Sequence, residues 1–155
     1  MKIMDFLSKT AIQADITATK KEDVIRELVD LLISAGKLDK SNRNKVIDSL
    51  MERESLGSTA IGQGIAIPHA KTDSVSELVG AFALSKKGVD FDSLDGEPVY
   101  IFFLLLAAQD SAGPHLKALA RISRLFKDKF FRDSLRNCVD DKAITKVISQ
   151  EDEKI

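Results

Sequence analysis

Val99-Tyr-Ile-Phe-Phe-Leu-Leu-Leu-Ala-Ala108 is the longest apolar run in the chain. Ten residues are too few to cross a bilayer, which takes about 20 in a helix. The run does not alternate with polar residues, so it predicts a central strand over Val99 to Ala107 buried on both faces. Such a strand needs a layer of structure on each side. Helical patterns lie both before and after it, which predicts an α/β layered domain.

The segments next to the run punctuate it. Leu94-Asp-Gly-Glu-Pro98 is a turn signal, and Leu78 to Leu84 predicts a partner strand. Lys86, Lys87 and Gly88 predict a turn, with Val89 and Phe91 in a further short strand. Downstream, Gln109 to Gly113 is a polar loop, and Pro114 suits the first turn of a helix. Leu116, Leu119, Ala120, Ile122, Leu125 and Phe126 supply that helix with a core face. A helix over Phe130 to Arg136 follows, then one capped by Asp140 that carries Ile144, Val147 and Ile148. Glu151 to Ile155 reads as a frayed tail.

Towards the N-terminus, Ile12, Ala14 and Ile16 alternate with polar residues, as in a half-buried strand. Thr19 and Glu22 make a capping-box pair ahead of a helix with the stripe Val24, Ile25, Leu28, Leu31 and Leu32, stopped at Gly36. Ser41 is the expected cap of a second helix with the face Val46, Ile47, Leu50 and Met51.

The whole-chain numbers bound the function. A length of 155 residues predicts one domain, large enough to bury a core without staples. The formal net charge of −1 gives no basic field, so a nucleic-acid partner is not expected. Lys127, Lys129, Arg132 and Arg136 are interleaved with Asp128 and Asp133 and read as a solvated helix face. Cys138 is the only cysteine, so no internal disulfide forms, which fits a reducing cytoplasm and a structural thiol. The N-terminus lacks the long apolar core of a signal peptide.

Chemistry concentrates between Gly57 and Lys71. That stretch, GSTAIGQGIAIPHAK, holds three of the eight glycines, one of the three prolines and one of the two histidines. Pro68 fixes its own φ and biases Ile67 to an extended form, so His69 is presented at a set angle. His115 stands beside Pro114 in the first turn of a helix, where free N–H groups favour an anion. A neutral imidazole is a competent nucleophile near neutral pH. Phosphoryl transfer to it needs positioning and positive or N–H groups around the oxygens, which Arg53, His115 and the glycine-rich loop can supply. Arg53, at the end of the second helix, also suits the helix dipole. Two histidines without a clear third ligand make a poor zinc site. Ser58 is not in a GxSxG elbow, and no dinucleotide fingerprint or P-loop is present.

The string LGSTAIGQGIAIPHAKT, preceded by RES and followed by VDFDSLDGEPVYIFFLLLA and GPHLKALARISRLF, resembles the type 2 enzyme IIA domains of the phosphoenolpyruvate-dependent sugar phosphotransferase system. This is the fructose, mannitol and nitrogen-regulatory IIA family. The resemblance implies a mixed β-sheet flanked by helices on both faces, in one domain over residues 1–155 with a core of about 5–149. It implies that His69 accepts phosphate from the phosphocarrier HPr as tele-phosphohistidine and passes it to a IIB partner. His115 matches the second active-site histidine and Arg53 the arginine near the phosphate, while Ser58 and Thr59 sit where hydroxyls can bond it. It implies no metal and no organic cofactor, and contact with a membrane only through a transporter. IPHAKT and SLDGEP look like fructose-type domains. A chain of this length with no fused IIB or membrane domain looks like the stand-alone nitrogen-regulatory proteins, which meet regulatory partners instead.

Overall fold

The computed structural model describes residues 1–155. In chain order the elements are β1 (Leu7–Gln13), α1 (Lys21–Ser34), α2 (Arg43–Ser55), β2 (Ala60–Gly62), β3 (Ile65–Ala66), β4 (His69–Thr72), β5 (Val79–Val89), β6 (Val99–Ala108), α3 (Ala112–Phe126), α4 (Lys129–Arg136) and α5 (Asp141–Asp152). The run that predicts a central strand is β6. It pairs antiparallel with β5 on one side and parallel with both β3 and β4 on the other. The sheet order is β1-β5-β6-β3-β2, with β4 beside β6, so the sheet is mixed.

The pleat of β6 divides the core. Phe102, Leu104 and Leu106 point into a cluster with Val24, Leu28 and Leu50 of α1 and α2. Ile101, Phe103 and Leu105 point into a second cluster with Ile122, Phe126 and Ile144 of α3 and α5. Helices therefore cover both faces, as predicted.

β3 and β4 share one edge of β6, and the break between them matters for the site. Ile65 and Ala66 pair with Ile101 and Phe102, and the ladder resumes with His69 opposite Leu105. Pro68 has no N–H to give, so Ile67 and Pro68 step out of regular pairing. The Pro68 carbonyl still takes the Leu105 N–H at 3.0 Å.

Several local expectations are corrected. Thr19 does not cap α1: Lys20 holds that position, without a side-chain cap. Glu27 accepts the N–H groups of Thr17 and Ala18 at 3.0 Å each, fixing the approach to the helix from its second turn, while Glu22 pairs with Arg26. Ser41 does not cap α2; its N–H and hydroxyl donate to Asp39 in a short 3-10 turn that leads into the helix. Lys86 to Gly88 do not turn back. β5 continues through them with a register irregularity between Leu84 and Val89, and Gly88 takes φ +84° against the Tyr100 ring. A Cβ at Gly88 would lie 2.8 Å from that ring, so the bulge requires a glycine.

On α3, Leu116 is 66% exposed, and the buried face is His115, Ala118, Ile122, Leu125 and Phe126. The helix starts at Ala112, and one imidazole occupies a place the apolar count gives to a leucine. The C-terminal tail is not frayed. α5 runs to Asp152, whose buried carboxylate accepts the Ile3 N–H at 2.6 Å and the Arg121 Nε–H at 2.6 Å. This clasp joins the first and last elements of the chain.

Candidate active site

Three elements converge at the C-terminal end of β6. The last turn of α2 brings Arg53, the first residue of β4 is His69, and the start of α3 brings His115. With Leu56, Lys71 and Gln109 they line one open depression of about 430 Å³. The mouth of parallel strands is where α/β sheets present their functional loops.

His69 is half-buried, and its Nδ1 lies 2.6 Å from the Ile67 carbonyl oxygen. A carbonyl only accepts, so Nδ1 carries the proton and donates it. Nε2 is then the nitrogen with the free lone pair. The acceptor exists because Pro68 interrupts the ladder between β3 and β4. Burial pushes the His69 pKa down; the bond to Ile67 and the charge of Glu54 oppose that, and Arg53 reinforces it. The net shift is downward and favours the neutral ring.

His115 is 6% exposed, and its Nδ1 is buried without a hydrogen-bond partner. Its pKa is lowered by burial first, then by His69 and Lys71. The two imidazole centres are 5.5 Å apart. No side chain caps α3, so its first N–H groups stay available beside His115. Arg53 Nη1 donates to the Gly57 carbonyl at 2.8 Å, which ties the end of α2 to the glycine-rich turn and holds the guanidinium at the rim.

The two hydroxyl candidates sit elsewhere. The Ser58 hydroxyl donates to the Phe91 carbonyl at 2.6 Å and accepts the Ala60 N–H at 3.0 Å. Thr59 is buried, and its hydroxyl donates to the Glu54 carboxylate. Neither lines the depression, whereas Arg53, His69 and His115 all do. Lys71 and Gln109 also line it and were not singled out from the sequence. Lys71 had a signal: two residues after His69 on a strand, it points to the same side. Gln109 had none. No three His, Cys, Asp or Glu side chains converge as a set of metal ligands.

The α/β domain thus sets a tautomer-fixed histidine beside a second histidine and an arginine. The chain matches the model of the family "Phosphoenolpyruvate-dependent sugar phosphotransferase system, EIIA 2" over residues 5–151, and it belongs to that family. It is 43% identical over 152 residues to the fructose-specific EIIABC component of Bacillus subtilis, covering 98% of this chain and 24% of that protein. The chain thus spans about a quarter of that relative. It is 39% identical over 149 residues to the nitrogen regulatory protein of Bradyrhizobium diazoefficiens, covering 96% of this chain and 95% of the other. The crystal structure of the nitrogen regulatory protein IIA-Ntr from Neisseria meningitidis superposes with a TM-score of 0.85 at 32% identity, over 94% of this chain and 98% of that one.

Proposed function

We propose that the chain is a phosphohistidine carrier with His69 as the acceptor. The observation that carries this reading is the bond from His69 Nδ1 to Ile67, which leaves Nε2 free in the depression shared with His115 and Arg53. Phospho-HPr docks over this face in the cytoplasm, where the exposed Leu56 lines the depression. Nε2 attacks phosphorus in line. The new N–P bond forms as the donor's N–P bond breaks, and the electron pair returns to the donor imidazole. Nδ1 keeps its proton and its bond to Ile67. In this reading the phosphoryl oxygens meet the Arg53 guanidinium and the His115 imidazole, which both line the depression, with the uncapped start of α3 adding N–H groups. The group then passes to a IIB component of a sugar transporter, of fructose type on the 43% identity to that relative. No metal or organic cofactor enters these steps.

Regulation is the second reading, favoured by one observation: the match to a nitrogen regulatory protein runs over 95% of that protein's length. The chemistry at His69 is the same, but the phosphorylated and free forms then differ in the regulatory protein they bind.

Intact mass after incubation with phosphoenolpyruvate, enzyme I and HPr tests the carrier reading. One acid-labile phosphate is expected on the wild type and none on His69→Ala. Phosphate on a histidine of His69→Ala overturns the assignment. Capture of a IIB domain or of a regulatory protein by the phosphorylated form then separates transport from regulation.

A further inference from the structure

We propose that Glu54 is a positioning residue for His69, acting through Thr59 and Ile67. The proposal rests on the carrier reading for its consequence in transfer, but its structural core stands apart from it.

Glu54 lies in the last turn of α2 and its side chain is 2% exposed. A carboxylate is costly to bury unless it is paired and bonded. Here it is fully engaged. Oε1 accepts the Thr59 N–H at 3.2 Å and faces the Lys21 ammonium at 2.9 Å, while Oε2 accepts the Thr59 hydroxyl. Thr59 is thereby held at both its backbone N–H and its side chain. Its carbonyl, in turn, accepts the Ile67 N–H at 3.2 Å. The Ile67 carbonyl is the acceptor of the His69 Nδ1 proton at 2.6 Å. A continuous chain of hydrogen bonds therefore runs from the Glu54 carboxylate to the reacting imidazole without entering the depression.

The far end of the chain is braced as well. Lys21 sits over the Phe91 ring, 4.8 Å from its centre. The Phe91 carbonyl receives the Ser58 hydroxyl. Ser58 and Thr59 thus serve the site by fixing the turn that Ile67 leans on.

Replacing Glu54 alone leaves the Lys21 ammonium and the Thr59 N–H and hydroxyl without their acceptor, which costs stability. An apolar residue cannot accept the two bonds from Thr59. Without them the Thr59 turn relaxes, the Ile67 carbonyl loses its aim, and the proton of His69 is free to move to Nε2. That tautomer has no lone pair where the phosphoryl group arrives. Glu54 is also the nearby anion that opposes the pull of Arg53 on His69, so it sustains the basicity of the ring.

The test reads the tautomer of His69 by long-range proton–nitrogen correlation in the unphosphorylated protein. Wild type, Glu54→Gln, Glu54→Ala and Thr59→Val are compared, alongside single-turnover transfer from phospho-HPr. The wild type is expected to hold the proton on Nδ1 alone. Glu54→Ala is expected to show a tautomer mixture and a transfer rate lower by about tenfold to a hundredfold, with the KM for the donor little changed. Glu54→Gln, which keeps one acceptor, and Thr59→Val, which keeps the N–H, are expected to fall between. Folded Glu54 variants with a wild-type tautomer overturn the proposal, even if their rates drop. If Glu54→Ala does not fold, Glu54→Gln and Thr59→Val decide on the same readout. A wild type that takes no phosphate overturns the carrier reading and leaves the tautomer comparison to decide this one.

Discussion

The imidazoles of His69 and His115 meet at the end of β6 with centres 5.5 Å apart and planes tilted by 55°. They arrive from opposite directions. His69 is carried by β4, which pairs with β6 in parallel; His115 follows the loop that leaves β6 and enters α3. Burial lowers both pKa values, and His69 adds to the lowering at His115, so charging one ring disfavours charging the other. One is fixed at Nδ1 by Ile67; the other has an unpartnered buried Nδ1.

His115→Ala is expected to slow phosphoryl transfer by about a hundredfold, the cost of losing one preorganised group at the developing charge. The acceptor stays in place, so the end point is still one phosphate on His69. Rapid-quench single turnovers with phospho-HPr read the rate, and an unchanged rate removes His115 from the mechanism.

The transfer rate is expected to be flat above the ordinary imidazole pKa of about 6.5 and to fall only as pH drops below it. The shift is downward because burial disfavours the charged ring. Stability follows the same sign. As pH falls below about 6.5 the unfolded chain takes up protons before the folded one, so stability is complete above that value and is lost towards the depressed folded pKa. Urea midpoints between pH 8 and 5 check this. His115→Gln should lose less than the wild type over that range, and parallel curves for the two proteins would contradict it.

Arg53→Lys keeps a charge but loses the planar fork that bonds Gly57 and faces the depression. Transfer is expected to drop by about tenfold, and further in Arg53→Met. In Arg53→Met the His69 pKa should also rise, because a charge that lowers it is gone. An NMR titration of His69 measures that shift, and a fall instead of a rise would falsify this electrostatic picture.

Asp152→Ala is expected to destabilise the fold by about 3 kcal/mol, since it strands Arg121 and the Ile3 N–H. Denaturant unfolding measures the loss. Transfer per folded molecule should not change, because the clasp lies against α3 and β1, away from the depression.

The layers were legible because β6 carries an uninterrupted apolar run, and only a strand covered on both faces accommodates one. The histidine loop was legible because Gly and Pro restrict the backbone wherever they occur. What stayed hidden was longer in range. Thr19 and Ser41 have cap chemistry, but Lys20 takes the position ahead of α1, and Asp39 caps the short 3-10 turn that leads into α2 and holds Ser41. Asp152 looked like part of a polar tail because its partners, Ile3 and Arg121, are 149 and 31 residues away. Leu116 and His115 exchanged roles because helical phase depends on where α3 begins. Gln109 and Glu54 are ordinary residues in sequence, and only packing gives them their neighbours.

The depression around His69 is open, with the exposed Leu56 in its lining. A group held there faces bulk water as readily as it faces a docked protein. Under the carrier reading, a phosphoryl group on His69 would be open to hydrolysis whenever no acceptor is docked. The useful quantity is then a ratio of two rates, discharge to a partner against leakage to solvent. Openness improves the first and worsens the second, which suits a relay that is emptied quickly and suits a long-term store poorly.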